Sequence, residues 1–572
     1  MAPADGPAGD PPPDDGPVDP PEPGDGIGPT EPVDPGEGGG LEEDAGDPLA
    51  VPAPGAAPHA AVPIHHEELR RRAVSGSMWT AIHSVTALPI NFVSHLVVAR
   101  ELGPAGYGTV AVYSLILVLV TKISEAGING ATAMWGTAED ASGHPEVADR
   151  LLRQDTGWQL LVEVPLLGVL MLVIGWRAGP AILIPLLISV LLGALLAGPS
   201  LAVAVENRTA AAARLTGGAN TLMQVAIMVV AVRTHSPIAV WTTRVLATSL
   251  TGAIYLIPID RRRRWLVLKP LFPRGMPVGF WSFAGFATAT ALVGELASSR
   301  TEVFFLALYG LRADIGYFAL AFGLATQLTA PVDAVITPLG SGIIGLVATR
   351  PQRASAVLLR STRYVAAASG VLTAVALPAI TMLIPMLYGH AYRSAAPLLI
   401  PLGIASCLNS LCNPLTSFVS ARRRADVVLR AGLIALGADA AAALALIPII
   451  GVWGAVVANI IGGIGHLPSL IAFELKNQGG RLIDLVASAK AWLVSIAACI
   501  PAVAAGLVVN QLWGRPVVDA VAAGVVGGAV FVLAVRLLHA GFDREDRESF
   551  TSSGPALLRL PLRLGLSMLG TP

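Results

Sequence analysis

The sequence is short of charge. Of its 572 residues 13% are Asp, Glu, Lys or Arg, about half the share an ordinary soluble domain carries. That shortage argues against a soluble enzyme, a nucleic-acid binder or a coiled coil. Aromatic residues are few, at 6%, and there are only three cysteines. Cys407, Cys412 and Cys499 all fall in apolar stretches, with neither zinc-ligand spacing nor a disulfide framework among them. Their expected role is packing. After residue 70 there is no Asp-x-Asp triplet to hold a metal–nucleotide, and no Gly-rich phosphate loop with a lysine follows a strand pattern. Neither enzymatic activity nor a cofactor is expected.

What is present is oil. Hydrophobic residues make up 53% of the chain, and the mean hydropathy is +0.65. The formal net charge of −1 hides a segregation: residues 1–50 hold 14 acidic and no basic residues. The rest of the chain therefore carries a net of +13. Residues 1–66, rich in Pro, Gly, Asp and Ala, contain no apolar run long enough to bury, so burial cannot offset the entropy of ordering them. They read as a disordered acidic tail, either a solvated spacer or a docking arm for a cytoplasmic partner. They lack the basic start and apolar run of a signal peptide. His59, His65 and His66 have no Cys nearby and no ordered scaffold, so no metal site is expected.

A membrane-spanning helix needs about 20 mostly apolar residues. Fourteen such stretches occur, near 77–98, 108–130, 157–176, 180–204, 215–232, 237–258, 279–309, 315–338, 362–387, 395–419, 427–449, 451–473, 486–510 and 517–538. The fold class expected is an all-α integral membrane protein. Cytoplasmic loops retain Lys and Arg. With the N-terminus inside, 29 basic residues fall on the inner side and six on the outer: Arg100, Arg177, Arg233, Arg312, Arg393 and Arg515. A wrong helix count would scramble that asymmetry. Both termini are therefore expected in the cytoplasm, with the chain in the inner (plasma) membrane.

Two passages carry a resemblance. The first spans read SGSMWTAIHSVTALPINFVSHLVVARELGPAGYGTVAVYSLILVLVTKISEAGINGA. The second half has SRTEVFFLALYGLRADIGYFALAF, then LIPMLYGHAYRSAAPLLIPLG, then IIGVWGAVVANIIGGI. In order and spacing these resemble the polysaccharide-biosynthesis flippases of the multidrug/oligosaccharidyl-lipid/polysaccharide exporter superfamily, over about residues 70–475. The peptidoglycan-precursor flippases, alike in architecture, stay open, and the acidic tail lies outside the family core. The Gly106-Tyr107 pair opens the second span and Gly316-Tyr317 the eighth. That echo suits a six-helix repeat with two lobes related about the membrane normal, the arrangement of transporters that bind cargo between lobes. The domain layout expected is a tail (1–66), an N-lobe (67–260), a basic linker (261–278), a C-lobe (279–475), two further helices (476–540) and a cytoplasmic tail (541–572).

A charge at the bilayer centre costs about 2.5–3.5 kcal/mol on insertion scales, so each one demands a partner or a wet cavity. Lys122, Glu125 and Asn129 line one face of the second span. Either Lys122 and Glu125 neutralise each other, or Lys122 faces cargo while Glu125 fixes it or carries a proton. In the seventh span Glu295 and Glu302 share a face, and Arg300 looks elsewhere. Arg300 either grips a phosphate through its planar fork or pairs with Asp314. Arg244, about two turns inside the sixth span, either snorkels outward or meets cargo. Glu163, Asp333 and Asp439 read as isolated carboxylates, Asp333 being a coupling candidate. The cluster Arg261–Arg264, Lys269 and Arg274 is expected to anchor to anionic headgroups and link the lobes.

The resemblance implies a flippase that carries a polyprenyl-diphosphate-linked oligosaccharide from the inner to the outer leaflet, for envelope polysaccharide synthesis. Its partners would be that glycan lipid and membrane lipids, with no nucleic acid. Lys122, Arg300, Arg244 and Asn129 would bind cargo; Glu125, Asp333, Glu295 and Glu302 would couple transport. A multidrug or cation exporter is the alternative, and would show a mainly acidic lumen. A flippase-like scaffold recruiting envelope enzymes is another.

Overall fold

The computed structural model describes residues 66–125, 127–175, 179–206, 208–296, 301–349, 351–422, 424–475 and 486–540. Except for His66, the expected acidic tail lies outside them, as do residues 541–572 and Arg300. Among the described residues the secondary structure is helical throughout, and ten helices are long and apolar enough to cross a bilayer. Their surfaces suit hydrocarbon: Val173, Leu222, Ile500 and Leu512 are each more than 70% exposed. Thr221, Thr234, Thr243 and Thr362 turn their hydroxyls back onto carbonyls four residues earlier, so these donors are satisfied within their own helices.

The first half comprises α1 (His66–Glu125), α2 (Ile128–Ala141), α3 (Pro145–Trp158), a π-turn (Gln159–Glu163) and α4 (Val164–Gly175). It continues through α5 (Pro180–Val205), α6 (Thr209–Thr234) and α7 (Pro237–Thr251). The short α8 (Arg261–Leu266) sits in the linker. The second half holds α9 (Phe280–Glu295), α10 (Thr301–Leu308), α11 (Arg312–Thr349), α12 (Pro351–Val371), a second π-turn (Leu372–Ala376) and α13 (Leu377–Tyr388). Then come α14 (Ala396–Ala421), α15 (Ala425–Ile450) and α16 (Val452–Leu475), followed by α17 (Lys490–Trp513) and α18 (Pro516–Leu537). Five expected spans are thus built differently from single rods. Stretches 77–98 and 108–130 share α1; π-turns divide 157–176 and 362–387; and a 3₁₀ turn ends 237–258.

Glycine sets the reversals. At Gly103, φ 64° and ψ 176° break α1, a conformation that costs other residues far more. The Nδ1 of His95 and the hydroxyl of Tyr107 are hydrogen-bonded at 3.0 Å. In a straight helix their twelve-residue separation would put them about 18 Å apart, so the chain folds back on itself. The other six turns expected on the outer side each hold a positive-φ residue as well: Gly179, His235, Gly310, Gly389, Gly451 and Gly514. Both π-turns fall in corresponding stretches, the third and the ninth. The internal echo heard in Gly106-Tyr107 and Gly316-Tyr317 therefore extends to backbone geometry.

The two halves meet where α1 crosses α11. A Cβ on Gly316 would overlap the carbonyl of Pro104, and one on Gly108 would overlap that of Arg312. Only hydrogen at both positions allows so close an approach. One hydrophobic core spans the crossing, joining Val98, Ala99 and Tyr107 to Ile315, Phe318, Tyr388 and Tyr392. The Tyr392 hydroxyl donates to the Ala99 carbonyl at 3.0 Å, and Phe92 and Tyr317 stand edge-on to Tyr388 and Tyr392 respectively. This aromatic seal closes the end of the molecule that the basic-residue asymmetry assigns to the outside. The three cysteines are free and buried, in keeping with packing.

Candidate functional site: a cavity between the halves

Below the seal lies a cavity of about 970 Å³. Helices α1, α5, α6 and α7 supply most of its wall, and Val303, Phe318, Phe322 and Thr326 of the second half close it. Hydroxyls line it richly, among them Ser94, Ser114, Ser200 and Thr248. Among the described residues no Asp or Glu lines it, and its one charged side chain is Arg244. The Arg244 guanidinium has no ion-pair or hydrogen-bond partner among the described residues and is half-buried. His95, Tyr107 and Gln224 share the wall with it. A cation held in a polar chamber without a counter-ion invites an anion.

Lys122 is not part of this wall, but it continues one of its faces. Ser114 and Val118 line the cavity, and Lys122 stands one turn further along α1 on the same side. On α11 the lining residues Phe322 and Thr326 lead two turns on to Asp333. There Asp333 accepts hydrogen bonds from Ser410 at 2.9 Å and Asn413 at 3.1 Å. Asp333 is not isolated, as the sequence suggested, because α14 supplies these donors.

Asn129 sits elsewhere. It accepts from Gln159 at 2.7 Å, and Gln159 also reaches Asp155 at 2.8 Å. Asp155, fully buried, further accepts from Thr132 at 3.4 Å. This knot joins α2 to α3 at the start of the π-turn. Asp155 escaped the sequence reading because it falls just outside the apolar run. Glu163, buried, ends the same π-turn.

The seventh span is described on either side of residues 297–300. Glu295 closes α9 and Glu302 opens α10. Glu302 is fully buried and accepts from Asn459 of α16 at 2.6 Å. Asp439 of α15, also buried, stands beside it. Glu302 Oε2 has no hydrogen-bond partner among the described residues, and the Thr301 side chain faces Asp439. Asp439 is thus half of a carboxylate pair and not a solitary acid. Side-chain direction decided this, and spacing along one span carries no information about a neighbour on another.

Counting from the turn residues relates this pair to the cavity. His95 lies eight residues before Gly103, and Glu302 eight before Gly310. Gln224 and Asp439 precede His235 and Gly451 by eleven and twelve; Arg244 and Asn459 follow them by nine and eight. His95, Gln224 and Arg244 in one half therefore occupy the places of Glu302, Asp439 and Asn459 in the other. The first trio faces an open chamber. The second is dry. The signal for His95 and Gln224 was in the sequence as polar residues inside apolar runs, but it carried no formal charge.

Comparison with solved structures identifies the fold. The chain matches "Lipid II flippase MurJ, inward closed conformation" with a TM-score of 0.60 at 11% identity, over 81% of this chain and 99% of that one. The two share one fold, that of a multi-pass helical membrane protein. Weaker likenesses extend to a variant of the Vibrio cholerae MATE transporter VcmN (TM-score 0.49, 15% identity, 73% and 98% coverage) and to the eukaryotic MATE transporter AtDTX14 (0.48, 9%, 74% and 99%). No family model matches the chain, and no curated protein matches it by sequence. The architecture expected from the motifs is thus met at the level of fold.

Proposed function

We propose that this protein flips a polyprenyl-diphosphate-linked oligosaccharide from the inner to the outer leaflet by alternating access, serving envelope polysaccharide synthesis. The observation that carries the reading is the unpartnered Arg244 in a chamber without carboxylates. A guanidinium there can take two diphosphate oxygens at once. The volume of about 970 Å³ is at the upper end of ligand pockets, enough for the diphosphate and first sugars. The hydroxyl-rich wall suits sugar hydroxyls, and the polyprenyl chain would stay in hydrocarbon beside the seam. A cation exporter would need an acidic lumen, and this wall offers none.

Lys122 lies along the path from the cavity and would hand the diphosphate on, with Arg300 and Asn129 as further contacts. Glu302 with Asp439 is the pair best suited to take up a coupling proton, Glu302 Oε2 being unfilled; Asp333, Glu125 and Glu295 are the other candidates. The protein would reside in the plasma membrane and make or break no covalent bond. Lipid II as cargo is the second reading, favoured by the fold shared with a lipid II flippase.

The test is translocation of a labelled polyprenyl-diphosphate sugar in vesicles, with lipid II offered in parallel. Arg244→Ala is expected to slow transport at least tenfold, the loss of a charge-assisted contact worth about 1.5–3 kcal/mol, with normal insertion. Unchanged rates in Arg244→Ala, Lys122→Ala and Arg300→Ala together would end the reading. Flipping of lipid II alone would select the second cargo.

A further inference from the structure

The linker was read as six cations facing the membrane. Five do, at most, because Arg263 turns inward. Its side chain is only 10% exposed and donates to Asp149 and, at 2.7 Å, to Asp140, with Glu206 at 3.6 Å. Burial opposes its charge, yet the bonds it donates to Asp140 and Asp149 hold the guanidinium above its ordinary value. The chain after it is fastened repeatedly to α3. Thr156 donates to the Val267 carbonyl at 3.0 Å, Arg153 to that of Lys269 at 3.1 Å and Gln154 to that of Arg274 at 2.6 Å. The Leu271 N–H donates back to the Arg153 carbonyl at 2.9 Å. All these fastenings go to the first half.

What this buckle holds outward is of one kind. Arg261, Arg262, Lys269 and Arg274 are exposed, and no Asp or Glu occurs from 261 to 278. Interleaved with them, Trp265 is 66% and Phe272 51% exposed. The Arg274 guanidinium lies over the Phe272 ring, 5.4 Å from its centroid. Exposed tryptophan beside lysine and arginine is the composition of a membrane–water interface, and rigidly held cations attract anionic headgroups at about 1 kcal/mol each.

We propose that residues 261–274 form a platform, buckled to the first half by Arg263, that docks on anionic phospholipid headgroups of the leaflet it faces. The ligand class is the glycerophosphate anion, with the two aromatic rings seated among the upper acyl carbons. Because the fastenings end in α2, α3 and the end of α5, the first half is the part held against the leaflet. This inference does not depend on the identity of the cargo.

The experiment uses the full chain in nanodiscs of phosphatidylcholine with increasing phosphatidylglycerol. Native mass spectrometry counts each lipid retained. Retention of phosphatidylglycerol over phosphatidylcholine is expected to fall about tenfold or more when Arg261, Arg262, Lys269 and Arg274 all become Gln. The double change Trp265→Ala with Phe272→Ala is expected to weaken retention of both lipids. Raising salt should erase the wild-type preference, a measurement that needs no variant. Equal preference in wild type and the fourfold variant would overturn the proposal. So would an equal loss from Arg100→Gln with Arg515→Gln, since diffuse surface charge would then explain the binding.

Discussion

The chain sets two polar trios at corresponding heights in its two halves and gives them opposite settings. His95, Gln224 and Arg244 share the wall of the cavity, while Glu302, Asp439 and Asn459 are sealed among α10, α15 and α16. A charge beside water keeps much of its solvation and remains available to a ligand. A charge in a dry contact is held by its neighbours alone, so any change of charge there is felt as stability. Matching positions in a repeat therefore do not imply matching chemistry. The packing around each trio decides what it can do.

The sharpest way to break this comparison is to add the same charge to both trios. Asn459→Asp would place a third carboxylate in the dry cluster and is expected to cost about 3 kcal/mol or more, read as a large fall in the thermal midpoint or in folded yield. Gln224→Glu would put a carboxylate at a buried position on the wall that also carries the Arg244 guanidinium, and is expected to cost less than Asn459→Asp because the neighbouring fixed charge there is of opposite sign. Equal costs would mean that the two settings do not differ.

Next in size, Tyr392→Phe would remove the donor to the buried Ala99 carbonyl. It is expected to cost about 1–2 kcal/mol and to expose the seal, measured as faster thiol labelling of an Ala99→Cys reporter. If labelling stays unchanged, this bond is not what holds the outer end shut. Smallest in stability is Arg244→Lys. It should leave the thermal midpoint in place and recover only part of the transport lost in Arg244→Ala, because an ammonium lacks the planar fork. Full recovery would reduce the role of Arg244 to that of a point charge.

Much of the fold was legible. Apolar runs, short Gly- and Pro-bearing turns and the asymmetry of basic residues were enough to expect a helical membrane bundle with a repeat, and the positive-φ turns at Gly179, Gly389 and Gly514 lie between the expected stretches. The candidate site was legible only in part. Arg244 stood out as a charge in an apolar run, but its exposure to a cavity could not be read, nor could the pairing of Glu302 with Asp439. Neutral His95 and Gln224 gave no charge signal.

By itself, then, the sequence determined the solvent of each segment. Whether a stretch of about 20 residues belongs in hydrocarbon depends on its summed transfer free energy, a property of composition that neighbours barely alter. The tertiary structure alone decided which polar groups are wet, paired or buckled. Those outcomes depend on contacts between residues as distant as 302 and 459, or 263 and 149, and a few ångströms of approach there decide whether a charge meets water, a partner or nothing.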